Sequence, residues 1–278
     1  VPPGIKRERL RALLLSGTFA SGAVIVLAWV VCALFGAHLT PHDPFATDPL
    51  NSLLPPSASH WFGTDQLGRD VFARVIAGSR DILTIAPLAT LLGALLGTAI
   101  GLVTGYFGGW VDHLSGRVLD AVLALPLVIV ALLALTALGA SNLTIIVVIG
   151  LTFAPITART VRAAVLTERH LDYVAAAQLR GERAPHIMFV EILPNVLAPI
   201  VVEATVRLGY AIFTVATLSF LGFGIQPPSP DWGLMLADSY TLMAGGAWWT
   251  VVFGALAIAS LVVAVNLIAD GVQGALDQ

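Results

Sequence analysis

The chain has 278 residues, 57% hydrophobic and only 11% charged, with a formal net charge of −3 and a mean hydropathy of +0.89. Soluble domains carry about 25% charged residues, so an ordinary water-soluble globule is excluded and the bilayer is the expected solvent. The small charge carries no signal for nucleic acid, and the single cysteine, Cys32, excludes a disulfide framework within the chain.

The basic start, "GIKRERLR", places Lys6, Arg7, Arg9 and Arg11 before an apolar stretch too long for the core of a cleavable signal, so that stretch is expected to stay as a first span. A crossing helix needs about 20 mostly apolar residues. Six segments qualify: 17–39, 82–105, 118–139, 143–161, 196–220 and 248–269. Nothing alternates like the strands of a barrel, so the expected fold class is an all-α polytopic membrane protein with six transmembrane helices. Arg159, Arg162, Arg169, Arg180 and Arg183 fall on the same side as the basic tail and Arg117. The long loop 40–81 is acid-rich, and the loop 221–247 holds no Lys or Arg at all. Positive charge marks the inner face, so both termini are expected in the cytoplasm.

In the loop after the first span, Asp65/Arg69 and Asp70/Arg74 are four apart. Val71, Phe72, Val75 and Ile76 share one face, which predicts an interfacial helix over 62–81 on the outer leaflet. Such a helix either meets partner proteins or anchors the second span. That span sets Gly93, Gly97, Gly101 and Gly105 on one stripe, suited to close helix packing within the chain or at a subunit contact. Pro126 and Pro155 fall inside spans three and four and are candidates for kinks. Glu203 and Arg207 lie in the fifth span at i,i+4 spacing. Ionisable groups there face a cavity or each other, so the pair either lines a translocation path or is self-neutralised at a subunit contact. Trp248 and Trp249 stand at the edge of the last span, as in an aromatic belt.

Several chemistries are absent. The only lysine is Lys6, so a phosphate-binding G-x-x-x-x-G-K-[ST] loop cannot form. The six histidines show no ligand spacing. His38 and His42 are four apart but have Pro41 between them, and they read as interfacial rather than metal-binding. No catalytic residue and no metal site is expected.

The polar stretch 163–195 combines Ala-rich helical sequence, a turn at Gly181, Pro185 opening a second short helix to about residue 190, and Pro194 before the fifth span. It resembles the EAA loop of ABC importer permeases, E-A-A-x3-G-x9-I-x-L-P. Ala176, Ala177, Gly181, Leu193 and Pro194 match; Ala175 replaces the glutamate and Glu191 the isoleucine, with Asp172 one turn before the motif. "FGTDQLGRDVFARVIAGSR", "LSFLGFGIQPPSPDWGLML" and "NLIADGVQGALD" resemble the C-type subunit of dipeptide, oligopeptide and nickel importers.

The resemblance implies the type I ABC importer permease fold in a bacterial cytoplasmic (inner) membrane. Residues 1–60 would form the tail, first span and start of the outer loop, and 61–278 the permease core. The loop 163–195 would be the coupling element that docks on an ATPase. It also implies a homologous second permease, two ATPase domains or subunits holding ATP and Mg, and an extracytoplasmic binding protein. This chain would hold no cofactor and would form half of a path for di- or oligopeptides. A nickel or other small-solute importer of the same architecture, or an ion-coupled secondary transporter, are the alternatives.

Overall fold

The computed structural model describes residues 16–276, and the basic tail with Lys6, Arg7, Arg9 and Arg11 lies outside them. Helix α1 spans Gly17–Leu39, capped by the Ser16 hydroxyl, which accepts from the Phe19 N–H. Helix α2 runs unbroken from Val71 to Phe107. At 1.5 Å per residue its 37 residues reach about 55 Å, well beyond the roughly 30 Å hydrocarbon core. The interfacial helix expected over 62–81 is therefore not a separate element. Residues 71–81 are the first turns of α2, and 62–70 is a turn-rich segment held by side-chain caps. Asp70 spends its carboxylate on the helix start, where Oδ1 accepts from the Ala73 N–H at 2.7 Å, leaving Arg74 to approach Asp65 at 3.7 Å.

Two glycines with positive φ, Gly108 and Gly109, turn the chain from α2 into α3, Gly109–Leu123. Helix α4 covers Leu127–Leu138. The single helix expected over 118–139 is instead two helices meeting at 84°. Pro126 has no N–H to give and pushes Leu125 out of helical geometry, so the kink becomes a break. Pro155, by contrast, is accommodated inside α5, Asn142–Glu168. Helix α6 is Asp172–Leu179. The short α7, Ala184–His186, widens into a π-helical turn over Ile187–Ile192, and α8 is Leu197–Phe220. Helix α9, Trp232–Ser239, precedes α10, Trp249–Leu276. Helices α1, α2, α5, α8 and α10 are each long and apolar enough to span; the bent α3–α4 pair is the sixth candidate.

Two cores hold the helices. One contains Ile82, Ile85, Ile145, Ile149, Ile212, Leu218, Trp232 and Leu261, joining α2, α5, α8, α9 and α10. The other contains Leu102, Val161 and Val165 together with Val174, Ala177, Ile187 and Ile192. That second core welds the polar loop to the far ends of α2 and α5. Indole donors lock the opposite end. Trp232 is fully buried and donates to the Val75 carbonyl at 2.8 Å. Trp249 donates to the Thr64 carbonyl at 3.1 Å and is buried, so only Trp248 of the pair is exposed in the manner of a belt residue.

Candidate functional site: the coupling loop and its link to the spans

The glycine stripe decides how α2 and α5 meet. A Cβ built on Gly93 would lie 3.0 Å from the Gly150 carbonyl oxygen. On Gly97, Gly101 and Gly105 it would lie 2.5, 2.6 and 2.7 Å from the Cβ atoms of Thr157, Val161 and Val165. Partners four residues apart on α5 thus fill the notch left by glycines four apart on α2. The stripe is used inside the chain, where close backbone approach replaces the hydrophobic force that lipid does not supply.

Arg169 extends this contact. Its Nη1 donates to the carbonyls of Gly105 at 3.0 Å and Tyr106 at 3.5 Å, satisfying acceptors that the end of α2 leaves open. Arg162 pairs with Asp112, and Arg159 with Asp120, tying α5 to α3.

Helix α6 follows α5 directly. Tyr173 donates to Glu168 at 2.7 Å; burial and that carboxylate push its phenol up to about 12, so it remains a donor. Val174 and Ala177 are buried, whereas Asp172, Ala175, Ala176 and Leu179 are exposed. Leu179 is 90% exposed, the most open leucine of the loop. Gly181 adopts φ +77°. Its N–H donates to the Gln178 carbonyl and that of Glu182 to the Ala177 carbonyl, which closes α6 with a Schellman turn. The residue that permits the turn is the motif glycine, because a side chain at that φ would be strained.

Glu191, at the motif's isoleucine position, has a partner. Arg180 donates to Glu182 at 2.7 Å and to Glu191 at 3.2 Å, clasping the end of α6 to the π-helical turn. Leu193 packs on the second core, and Pro194 is exposed at the approach to α8. The π turn bonds the Leu193 N–H to the Met188 carbonyl, and turns of this kind cluster at functional segments. It leaves Phe189 and Val190 half-exposed. Leu179, Phe189 and Val190 were not singled out from the sequence, since an apolar residue in a short helix carries no sign of its facing.

Glu203 and Arg207 do pair along α8, with Arg207 Nε donating to Glu203 at 2.5 Å; both are partly buried. Thr160 of α5 donates to the other Glu203 oxygen at 3.3 Å. The Arg207 guanidinium lies 4.9 Å from the centre of the exposed Tyr210 ring. Glu203 lies one turn beyond Ile200 of α8, which belongs to the second core, and its partner Thr160 precedes Val161 of the same core.

Residues 97–278 match the family of binding-protein-dependent transport system inner membrane components. The chain belongs to that family. It is 39% identical over 271 residues to a dipeptide transport system permease protein of Alkalihalophilus pseudofirmus, covering 98% of this chain and 89% of the relative. A dipeptide transport system permease protein of Bacillus subtilis is 38% identical over 257 residues, covering 92% and 80%. A glutathione transport system permease protein of Pectobacterium atrosepticum is 36% identical over 274 residues, covering 98% and 90%. The chain is thus a multi-pass permease subunit of the ABC importer class, with the type I permease fold.

Proposed function

We propose that this permease forms half of a translocation path for peptides and that ATP hydrolysis reaches it through the loop 163–195. The observation that carries this reading is the division of α6. One face, Val174 and Ala177, is built into the same core as Val161 and Val165 of α5. The other face, with Ala175, Ala176 and Leu179, stands open. A partner that grips the open face moves α5, and the glycine notch then carries α2 with it. Small side chains let a groove close tightly around the helix, and Leu179 supplies an apolar anchor.

In this reading the termini and the coupling loop face the cytoplasm, where an ATPase pair holds the ATP and Mg that the chain itself does not bind. A second, homologous permease completes the path, and a binding protein delivers substrate at the opposite face. Peptides are favoured because relatives covering nearly the whole chain are named for dipeptide and glutathione transport, and glutathione is itself a tripeptide. Glu203 and Arg207 offer opposite charges at a partly open position of α8, a chemistry that suits a zwitterion.

The test is gentle extraction of the tagged chain from its native membrane, followed by reconstitution. Co-purification of a second permease and ATPase subunits, with ATP-dependent peptide uptake, is the expected result. A chain that emerges alone and transports without ATPases overturns the proposal.

A further inference from the structure

At the opposite end of the molecule from the coupling loop, three ligand-type side chains converge that the linear sequence keeps apart. His42, His60 and Asp70 each offer an atom, and these atoms lie within 4.8 Å of one another. The two imidazole rings stack with centroids 4.7 Å apart and planes 28° from parallel. His60 Nδ1 is 2.8 Å from Asp70 Oδ2, and His42 Nε2 is 2.8 Å from the Ser59 carbonyl oxygen. The Ser59 carbonyl fixes the His42 ring through Nε2, as an outer oxygen orients a histidine around a metal. His60 Nδ1 and Asp70 Oδ2 already stand side by side, as two ligands of one ion would.

We propose that His42, His60 and Asp70 form a site for a divalent transition metal of the zinc class, which clips the loop 40–62 onto the first turn of α2. Imidazole nitrogens and a carboxylate oxygen bind Zn²⁺ at about 2.0–2.2 Å, which places neighbouring ligand atoms roughly 3.3 Å apart. The His60–Asp70 edge, at 2.8 Å, opens by about half an ångström, and no other edge, all being within 4.8 Å, closes by more than about 1.5 Å to reach that geometry. The platform for this closure is firm: Asp70 is buried and anchored by its cap on Ala73, while both histidines keep partial access to solvent. A fourth position is left for water. A second cluster of this type among the described residues, Glu182, His186 and Glu191, is a poorer host because the Arg180 guanidinium already pairs with both carboxylates and would repel a cation.

The test is equilibrium Zn²⁺ binding to the untagged, chelator-stripped full chain in nanodiscs, by competition with a chromophoric chelator. One Zn²⁺ per chain is expected, with affinity lowered at least about ten-fold by His42→Ala and unchanged by His186→Ala. His42→Ala leaves the Asp70 cap and its contact with His60 in place. Less than one Zn²⁺ per chain, equal affinity in His42→Ala, or an equal loss in His186→Ala each overturns the site. If His42→Ala does not fold, X-ray absorption of the zinc-loaded wild type decides. Scattering from two imidazoles supports the site, and an all-oxygen shell overturns it.

Discussion

Gly97 faces Thr157 so closely that a Cβ in its place would lie 2.5 Å from the Thr157 Cβ, well inside van der Waals contact. The consequence is measurable. Gly97→Ala forces α2 and α5 apart and costs about 1–3 kcal/mol, the usual penalty for overpacking. On Gly116 of α3 an added Cβ would meet nothing within 4 Å among the described residues. Gly116→Ala therefore gains about 0.5–1 kcal/mol from helix propensity. Unfolding of the two variants in the same detergent compares them directly; equal stabilities would remove the notch as a structural determinant.

Asp231 is fully buried at the start of α9, where one carboxylate oxygen accepts from the Leu234 N–H at 2.9 Å and the other has no partner among the described residues. Burial pushes its carboxyl up to about 6, and the nearby Asp81 adds to the push. The folded value lies above the ordinary value of about 3.9, so between the two the folded chain holds a proton that the unfolded chain has released. Stability is full below about pH 4, declines as pH rises to about 6, and is level above, a loss on the order of 3 kcal/mol. Asp231→Asn caps the helix equally well and lacks this decline. Thermal unfolding across that range should show the variant equal to wild type at the acid end and more stable near neutrality.

Leu179 and Ala177 lie two residues apart on α6 with opposite surroundings, one 90% exposed and the other fully buried. Leu179→Ser leaves the isolated chain's stability within about 0.5 kcal/mol. It weakens ATPase docking by about 2 kcal/mol, some 30-fold in affinity. Ala177→Leu has the reverse profile in the isolated chain, with overpacking of the loop core costing about 1–3 kcal/mol. Melting temperature and ATPase co-purification, measured together on both variants, separate the two faces.

For Glu203 and Arg207, one change is worse than two. Glu203→Gln leaves a partly buried guanidinium without its carboxylate, at about 1–3 kcal/mol. Replacing both with glutamine removes the charge and recovers most of that loss. Uptake by the assembled transporter then assigns the role: a stable double variant that hydrolyses ATP but imports poorly places the pair in the path, and normal import removes it.

The linear order of residues determined a great deal here. Long apolar runs mark α1, α2, α5, α8 and α10 to within several residues at most ends, because a helix in lipid must satisfy its own backbone and has no alternative of comparable energy. The spacing of Gly93 to Gly105, the turn at Gly181 and the i,i+4 pairing of Glu203 with Arg207 are local, so helical periodicity alone makes them legible. What the order could not settle is which surface each side chain meets. Pro126 marks a kink, but that it separates two helices by as much as 84° is seen only in the folded chain. Asp70 and Arg74 have helix-pair spacing, yet Asp70 serves as a cap and a histidine partner because the helix begins immediately after it. Trp249 is a buried clamp on Thr64 rather than a belt residue. Leu179 is bare and Ala177 is covered. The meeting of His42 with His60 and Asp70 is decided only when the loop folds back. Contacts between distant segments arise from packing complementarity, which no local pattern encodes.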